Sequence, residues 1–257
     1  MQYPIDFINK VILGDCLDVM SFIPDKSVDL ILCDLPYETI ACKWDIIVPF
    51  KPLWDQYKRI IKNNCAIALT ASQPFTTKLI YSNFSGFKYI WYWNKDRGGN
   101  FSIAKYQPLR VIENICIFGK GTIKYNPQME IAEKAKIGPP SIVFKQKDAT
   151  QGMASGLFKV SANRNEMLRY PKNLINIKST EKECNNANRV HPTQKPVKLF
   201  EYLIKTYTNE GDLVLDNCIG SGTTAIACLN TNRNYIGIEK EQKYYDICLN
   251  RLNNYLV

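Results

Sequence analysis

Leu213-Val-Leu-Asp-Asn-Cys-Ile-Gly-Ser-Gly-Thr-Thr224 decides how this chain is read. Three apolar residues lead to Asp216, a Gly-Ser-Gly turn follows, and a helical run begins at Thr223. Glycines let a backbone turn tightly and approach a ligand closely. A strand–turn–helix junction of this kind lies at the carboxyl edge of an open α/β sheet, where small molecules bind. The next strand, Tyr235-Ile-Gly-Ile238, ends at Glu239, 23 positions after Asp216. A carboxylate there can accept hydrogen bonds from both hydroxyls of a ribose. The turn lacks the full G-x-G-x-x-G series of dinucleotide sites, because Gly220 and Gly222 are followed by Thr224 and Ala225, and it lacks the lysine of a phosphate loop. Asp216 would repel a pyrophosphate and attract the ammonium of an amino acid, which suits a methionine-bearing cofactor. A purely structural junction is the competing reading of these twelve residues.

A second strand end adds chemistry. Leu30-Ile-Leu-Cys-Asp-Leu-Pro-Tyr37 runs from a hydrophobic strand directly into Asp34-Leu35-Pro36-Tyr37. An exocyclic amine on an aromatic base is a poor nucleophile, because its lone pair is delocalised into the ring. An acceptor that takes hydrogen bonds from the NH2 favours a pyramidal nitrogen and strengthens attack. Asp34 can do this, as can the Leu35 carbonyl held by the rigid Pro36. Tyr37 offers a face on which a flipped base can stack. Methyl transfer is then a direct displacement that needs mainly alignment. No Pro-Cys pair of the kind used for C5-cytosine methylation is present, and none is required. Alone, the tetrad also reads as an ordinary strand-end turn; its pairing with the Gly-Ser-Gly site is what gives it weight.

The rest of the 257 residues alternates strand and helix, which predicts an α/β sheet, mostly parallel. Strands are predicted at Val11–Leu13, Val28–Cys33, Ala66–Thr70, Phe87–Trp93, Val111–Phe118, Leu213–Leu215 and Tyr235–Ile238. Helices are predicted at Cys16–Phe22, Trp54–Ile61, Phe75–Ser82, Pro196–Tyr207, Thr223–Asn230 and Gln242–Leu256. Residues 122–188 differ: they are polar, poor in periodicity and broken by Gly138-Pro139-Pro140 and Gln151-Gly152. They read as an inserted recognition region, with a disordered linker as the alternative. Residues 1–121 and 189–257 then form one discontinuous catalytic domain. Lys95-Asp-Arg-Gly-Gly-Asn100 reads equally as a mobile loop over the site and as a solvated loop over aromatic core.

The formal charge of +9 favours a polyanionic partner, and Lys145, Lys147, Lys159, Arg164, Arg169, Lys172 and Lys178 in the variable region suit phosphate contacts. No stretch approaches the ~20 apolar residues of a membrane span, and the first ten residues have no secretory pattern. The nine cysteines are scattered without a CxxC pair, and His191 is the only histidine, so no metal site is expected. Reduced thiols and the missing signal together place the chain in the cytoplasm.

At this point the two motifs resemble those of amino-directed DNA methyltransferases. The tetrad precedes the glycine site with the variable region between, an order similar to the circularly permuted β class. Gly14-Asp15-Cys16 resembles the strand end that contacts the cofactor adenine in that class, and His191-Pro-Thr-Gln-Lys-Pro196 resembles its motif X, which approaches the methionine portion. The resemblance covers roughly residues 10–120 and 190–255. It implies a Rossmann-like seven-stranded sheet with an inserted target-recognition lobe, and S-adenosylmethionine as cofactor. It places Asp34, Leu35, Pro36 and Tyr37 around the target base. It places Asp15, Cys16, Asp34, Thr193, Lys195, Asp216, Gly220, Ser221, Gly222, Thr223 and Glu239 around the cofactor. Two positions depart from the pattern: Leu35 stands where proline is usual, and Cys218 where an aromatic or apolar residue is usual. The implied partner is double-stranded DNA; a homodimer and a cognate restriction nuclease are further partners that the family allows. Asp34 tilts the target toward adenine N6, since cytosine members more often begin the tetrad with serine. The alternatives are cytosine N4, an RNA methyltransferase, a catalytically silent DNA-binding subunit and a nicotinamide oxidoreductase. His191 reads as a binding or structural residue rather than a general base.

Overall fold

The computed structural model describes residues 1–38, 46–131, 142–146, 154–159, 168–179 and 194–256. His191 and Thr193 lie outside the described residues. Two compact units are present, one from Met1–Asn126 with Asn173–Val257, the other from Pro127–Lys172.

The first unit contains, in chain order, β1 (Lys10–Leu13), α1 (Cys16–Met20), β2 (Val28–Cys33), α2 (Phe50–Ile60), β3 (Ile61–Ala71), α3 (Phe75–Ser82), β4 (Phe87–Gly99) and β5 (Arg110–Phe118). In the second unit β6 (Glu130–Ile131) pairs with β9 (Leu168–Arg169), and β7 (Ile142–Gln146) pairs with β8 (Ala154–Lys159), both antiparallel. The first unit resumes with β10 (Leu174–Asn176), α4 (Val197–Tyr207), β11 (Leu213–Asp216), α5 (Thr223–Asn230), β12 (Asn234–Glu239) and α6 (Gln242–Leu256).

One sheet organises the first unit, in the order β1-β12-β11-β2-β3-β5-β4-β10. Every neighbouring pair is parallel except those made by β5, which runs against both β3 and β4. The sheet has eight strands where seven were expected. The extra strand is β10, which pairs parallel with the edge of β4 through Leu174↔Tyr92 to Asn176↔Asn94. Three residues are too few to show an alternating pattern, so tertiary pairing rather than local sequence makes this strand.

Side-chain alternation explains why the sheet is covered on both faces. Ile31, Cys33, Ile67, Leu69, Leu213, Leu215, Ile236 and Ile238 point to one face, where they pack with Val19 and Met20 of α1, Leu53, Trp54, Tyr57 and Ile60 of α2, and Phe75 and Leu79 of α3. Leu30, Leu32, Ala66, Ala68, Val214 and Tyr235 point to the other, against Phe200, Leu203 and Tyr207 of α4, Ile226 of α5 and Leu252 of α6. The first three helices therefore cover one face and the last three the other. All six residues of β2 are buried, which fits a strand at the centre of such a sheet. No helix among the described residues is long and apolar enough to cross a membrane.

Candidate active site

Four neighbouring parallel strands, β1, β12, β11 and β2, bring acidic residues to one edge of the sheet. Leu13 is level with Glu239, Asp216 with Gly237, and Leu215 with Ile31. Asp15, Glu239, Asp216 and Asp34 therefore gather at the carboxyl edge, as the two motifs require.

Glu239 and the glycine turn are joined directly. The Gly220 N–H donates to Glu239 Oε2 at 2.9 Å, and the Glu241 N–H donates to Oε1 at 2.9 Å. Burial pushes the Glu239 carboxyl up, while these N–H donors pull it back. Each oxygen keeps a second lone-pair direction for a ligand hydroxyl. Gly220 has φ +54, and no heavy atom lies within 4 Å of where its Cβ would stand. Open space beside the half-buried Gly220 and a carboxylate with spare acceptors is the arrangement that a ribose-bearing cofactor fits.

Gly222 has a different task. It caps α5 with φ 85 and ψ 20, a conformation that other residues adopt only at a cost. A Cβ there would also stand 2.7 Å from Cys248 Sγ of α6. Gly222→Ala is therefore expected to destabilise the chain by roughly 2 kcal/mol or more, lowering Tm by about 5 °C in a chain of this size, and to weaken cofactor binding with it. A thermal melt with and without cofactor checks this; an unchanged Tm would show that the turn relaxes freely.

Asp216 is turned inward. It is 3% exposed, accepts from the Cys218 N–H at 3.1 Å, and accepts from the Thr224 hydroxyl. It thus ties the end of β11 to the first turn of α5. Burial pushes its carboxyl up to about 7, against the Thr224 and Cys218 donors. A folded-state value above the ordinary aspartate value means that folding takes up a proton between the two. The contribution of Asp216 to stability therefore falls as pH rises from about 4 to about 7. Asp216→Asn is neutral throughout, so Tm of the variant relative to the unmodified chain is expected to rise across that window. Parallel Tm–pH profiles would show that Asp216 titrates as an ordinary aspartate.

Ser221 and Thr223 are both buried. The Arg251 guanidinium of α6 clamps them, donating to the Ser221 carbonyl at 3.0 Å, to Ser221 Oγ at 3.3 Å and to Thr223 Oγ1 at 3.2 Å. Sequence reasoning missed Arg251, which sits on an otherwise ordinary amphipathic helix. Asp15 caps α1 by accepting from the Leu17 N–H at 3.0 Å, and its other oxygen pairs with Lys240 at 3.0 Å. Although burial opposes it, Lys240 and the Leu17 N–H hold the Asp15 carboxyl below its usual range. Cys16 follows as the first residue of α1 and packs with Cys33 and the half-buried Cys218 in one apolar cluster. All seven described cysteines are free thiols.

The tetrad is built around Asp34. Its Oδ1 accepts from the Tyr37 hydroxyl at 2.6 Å and is also hydrogen-bonded to the Thr70 hydroxyl, which lies 2.7 Å from the Tyr37 oxygen. Its Oδ2 is paired with the Lys195 ammonium at 2.6 Å. Lys195 also faces Glu113 at 3.5 Å, and Glu113 pairs with Lys95 at 2.8 Å. The result is a chain of alternating charge, Asp34–Lys195–Glu113–Lys95, whose members are all at most one-fifth exposed. Burial pulls the Lys195 ammonium down, but the Asp34 and Glu113 carboxylates together hold it above the ordinary lysine value. Burial likewise raises the Glu113 carboxyl, and Lys195 and Lys95 more than reverse this. Burial first, then the charges of Asp34 and Glu113, push the Tyr37 phenol well up, so it acts as a hydrogen-bond donor. Its ring stacks on Phe75 with centroids 5.0 Å apart and planes at 24°. Leu35 is buried and Pro36 half-buried. The Thr223 hydroxyl donates to the Lys195 carbonyl at 3.3 Å, so the glycine turn and the tetrad share one wall. Glu113 and Thr70 carry no local motif; pairing of β3 with β2 brings Thr70 beside Asp34, and pairing of β5 with β3 brings Glu113.

Comparison with known proteins agrees with this geometry. A family profile described as DNA methylase, of the N6/N4 type, matches residues 28–250. The type II methyltransferase M.HinfI of Haemophilus influenzae is 27% identical over 270 residues, covering 96% of this chain and 69% of that protein. The crystal structure of an M1.HpyAVI–SAM complex superposes with a TM-score of 0.61 at 25% identity, covering 95% of this chain and 98% of the other. The cytosine-N4-specific PvuII DNA methyltransferase shares the fold, with a TM-score of 0.67 at 18% identity over 94% of this chain and 85% of its own. With more than half of its length matched and its strand-end motifs gathered at one sheet edge, the chain belongs to the N6/N4 DNA methylase family.

Proposed function

We propose that this enzyme transfers a methyl group from S-adenosylmethionine to N6 of adenine at specific sites in double-stranded DNA, acting on a base turned out of the helix. The observation that carries the reading is the Asp34 carboxylate, held at the carboxyl edge between Tyr37, Thr70 and Lys195, beside the turn whose Gly220 N–H meets Glu239. Glu239 would take the ribose hydroxyls, and the open side of Gly220 would admit the cofactor backbone. Asp15, Cys16, Thr193 and Lys195 are assigned to its remaining parts by the family resemblance. Asp216, Ser221, Gly222 and Thr223 hold the turn in shape from behind.

The cofactor supplies an electrophilic methyl on a sulfonium sulfur. Asp34 accepts a hydrogen bond from the exocyclic NH2, drawing the nitrogen toward a pyramidal, more nucleophilic form. The Leu35 carbonyl is the second acceptor, with Pro36 limiting the backbone that presents it. The Tyr37 ring, backed by Phe75, is the surface for the base. With the cofactor bound, the nitrogen would take the methyl while the displaced electron pair stays on sulfur, and the proton lost from nitrogen would pass to water. Alignment supplies most of the rate. The placement of the tetrad ahead of the glycine turn in the chain supports assignment to the circularly permuted class, and residues 122–188 are the proposed target-recognition region.

The test is transfer from labelled S-adenosylmethionine to mixed-sequence duplex DNA, followed by nucleoside digestion, mass identification and mapping of the methylated site. N6-methyladenine absent with Asp34→Ala is the expected result. N4-methylcytosine would keep the mechanism and overturn the base, whereas no methylated nucleoside despite cofactor binding would overturn the enzymatic reading in favour of a silent subunit.

A further inference from the structure

β4 and β5 continue past the body of the sheet as an antiparallel ribbon, with Asn94 opposite Ile112 and pairing resumed at Gly99 opposite Arg110. Successive residues of a strand point to opposite faces, yet the consecutive Val111 and Ile112 are 37% and 38% exposed. Among the described residues neither face is fully covered, so the ribbon is partly open to solvent on both sides. Its tip is ordered. Asn100, at φ 57, accepts from the Arg110 N–H at 2.8 Å and donates to the Pro108 carbonyl at 3.4 Å, closing the neck of the loop. Inside it the Ile103 N–H donates to the Asn100 carbonyl at 3.1 Å and the Tyr106 N–H to the Ile103 carbonyl at 2.9 Å. Gly98 leaves room for Leu109, which would lie 2.6 Å from a Cβ there. This framework holds Phe101 at 69% and Tyr106 at 87% exposure rather than letting them fold back.

Two exposed aromatics held on one hydrogen-bonded loop offer a contact surface, and the charge around them indicates its partner. From Arg97 to Arg110 the chain carries Arg97, Lys105 and Arg110 and no acidic residue. Cations beside aromatic rings suit a nucleic acid, with phosphates for the one and base faces for the other. The position suits the substrate of this site. β4 is parallel to β3 and β2 through β5, so the tip leaves from the edge that carries Asp34. The stem is tied to Asp34 through the Lys95–Glu113 and Lys195 ion pairs. Arg110 is three residues along β5 from Glu113, about 10 Å at ~3.4 Å per residue, an offset comparable to the ~12 Å width of a major groove.

We infer that Phe101 and Tyr106 form a DNA wedge. They enter the duplex beside the base delivered to Asp34 and occupy the stacking space it leaves, while Arg97, Lys105 and Arg110 hold nearby phosphates. Side chains that insert between base steps unstack them locally, and an aromatic ring replaces part of the stacking lost when a base is extruded. The inference rests on the proposed function, because it presupposes a base turned out of duplex DNA.

The experiment compares the unmodified chain with Phe101→Ala/Tyr106→Ala on two duplexes bearing the mapped site, one fully paired and one with the target base mispaired. On the paired duplex kcat/KM is expected to fall about tenfold to a hundredfold. On the mispaired duplex, where the base is already loosened, it is expected to fall far less, with cofactor affinity and Tm unchanged. Equal falls on both duplexes, or no fall on either, would overturn the wedge. Equal falls accompanied by loss of a dimer in sedimentation would overturn it too, assigning the tip to a second copy of the chain. Failure of the unmodified chain to methylate any DNA would appear before the variant is tested, and would defeat the functional reading and the wedge together.

Discussion

Asp34→Ala is expected to lower the rate of methyl transfer by about 10²–10³-fold, the scale on which loss of one preorganised polar partner of a transition state is felt. Cofactor affinity is expected to change far less, because the glycine turn follows β11 and Glu239 ends β12, while Asp34 follows β2. The substitution does not leave a buried cation alone, since Lys195 keeps Glu113 at 3.5 Å. Loss of rate can therefore be separated from loss of fold. Single-turnover transfer from labelled cofactor, run beside a cofactor titration and a thermal melt, makes the separation. Asp34→Asn sharpens it by keeping the size of the side chain and removing its charge. If the amide supports the full rate, the negative charge paired with Lys195 is not what the reaction uses.

Lys195→Met has the largest expected effect on stability. Lys195 faces two carboxylates, 2.6 Å from Asp34 and 3.5 Å from Glu113, and is almost wholly buried. Replacing the ammonium with an uncharged chain of similar length leaves Asp34 without a counter-ion in a poorly solvated site, while Glu113 keeps Lys95 at 2.8 Å. Breaking a buried pair by removing one partner costs about 3–5 kcal/mol, a fall in Tm of roughly 10 °C for a chain of this size. Glu113, held below its usual value chiefly by Lys195 against the effect of burial, stabilises the fold above the ordinary glutamate range and loses that contribution as pH falls through its folded value. The penalty of Lys195→Met is therefore expected at neutral pH and should shrink as pH falls below the ordinary glutamate range and through the lowered Glu113 value. The raised Lys195 value sets the other limit: its contribution is present below the ordinary lysine value and disappears as pH rises through the folded value. Adding Asp34→Asn to Lys195→Met removes the stranded charge and is expected to recover part of the loss. A Tm unchanged within about a degree at pH 7 would show that this ion-pair chain carries no stability.

Local sequence was enough for much of the site. Apolar runs that stop at Asp34, Asp216 and Glu239 marked strand ends, and parallel pairing makes all strand ends of one sense meet at one edge. The helices Phe75–Ser82, Thr223–Asn230 and Gln242–Leu256 were legible residue for residue from their periodicity. The tight glycine turn was legible too, but that a Cβ at Gly222 would meet Cys248 of α6 was not. Periodicity reports which side of an element faces the core, and a motif reports what a strand end can hold; both are properties of a few adjacent residues.

What the tertiary structure decided are meetings across long stretches of chain. Lys195 reaches Asp34 over 161 positions, and Thr70 reaches it over 36. Glu113 joins them because β5 runs antiparallel between β3 and β4. Asp216, which by sequence faces the cofactor ammonium, turns inward to hold the turn that it begins, because Thr224 and the Cys218 N–H supply the donors its burial demands. The edge strand β10 and the projecting β4–β5 ribbon depend on sheet pairing, whose register no single strand encodes. Composition and spacing thus determined the fold class and which residue types stand at the reacting edge. Which charge neutralises which, and which surface is left uncovered, was settled by strand order and register, since those interactions exist only once distant segments pack.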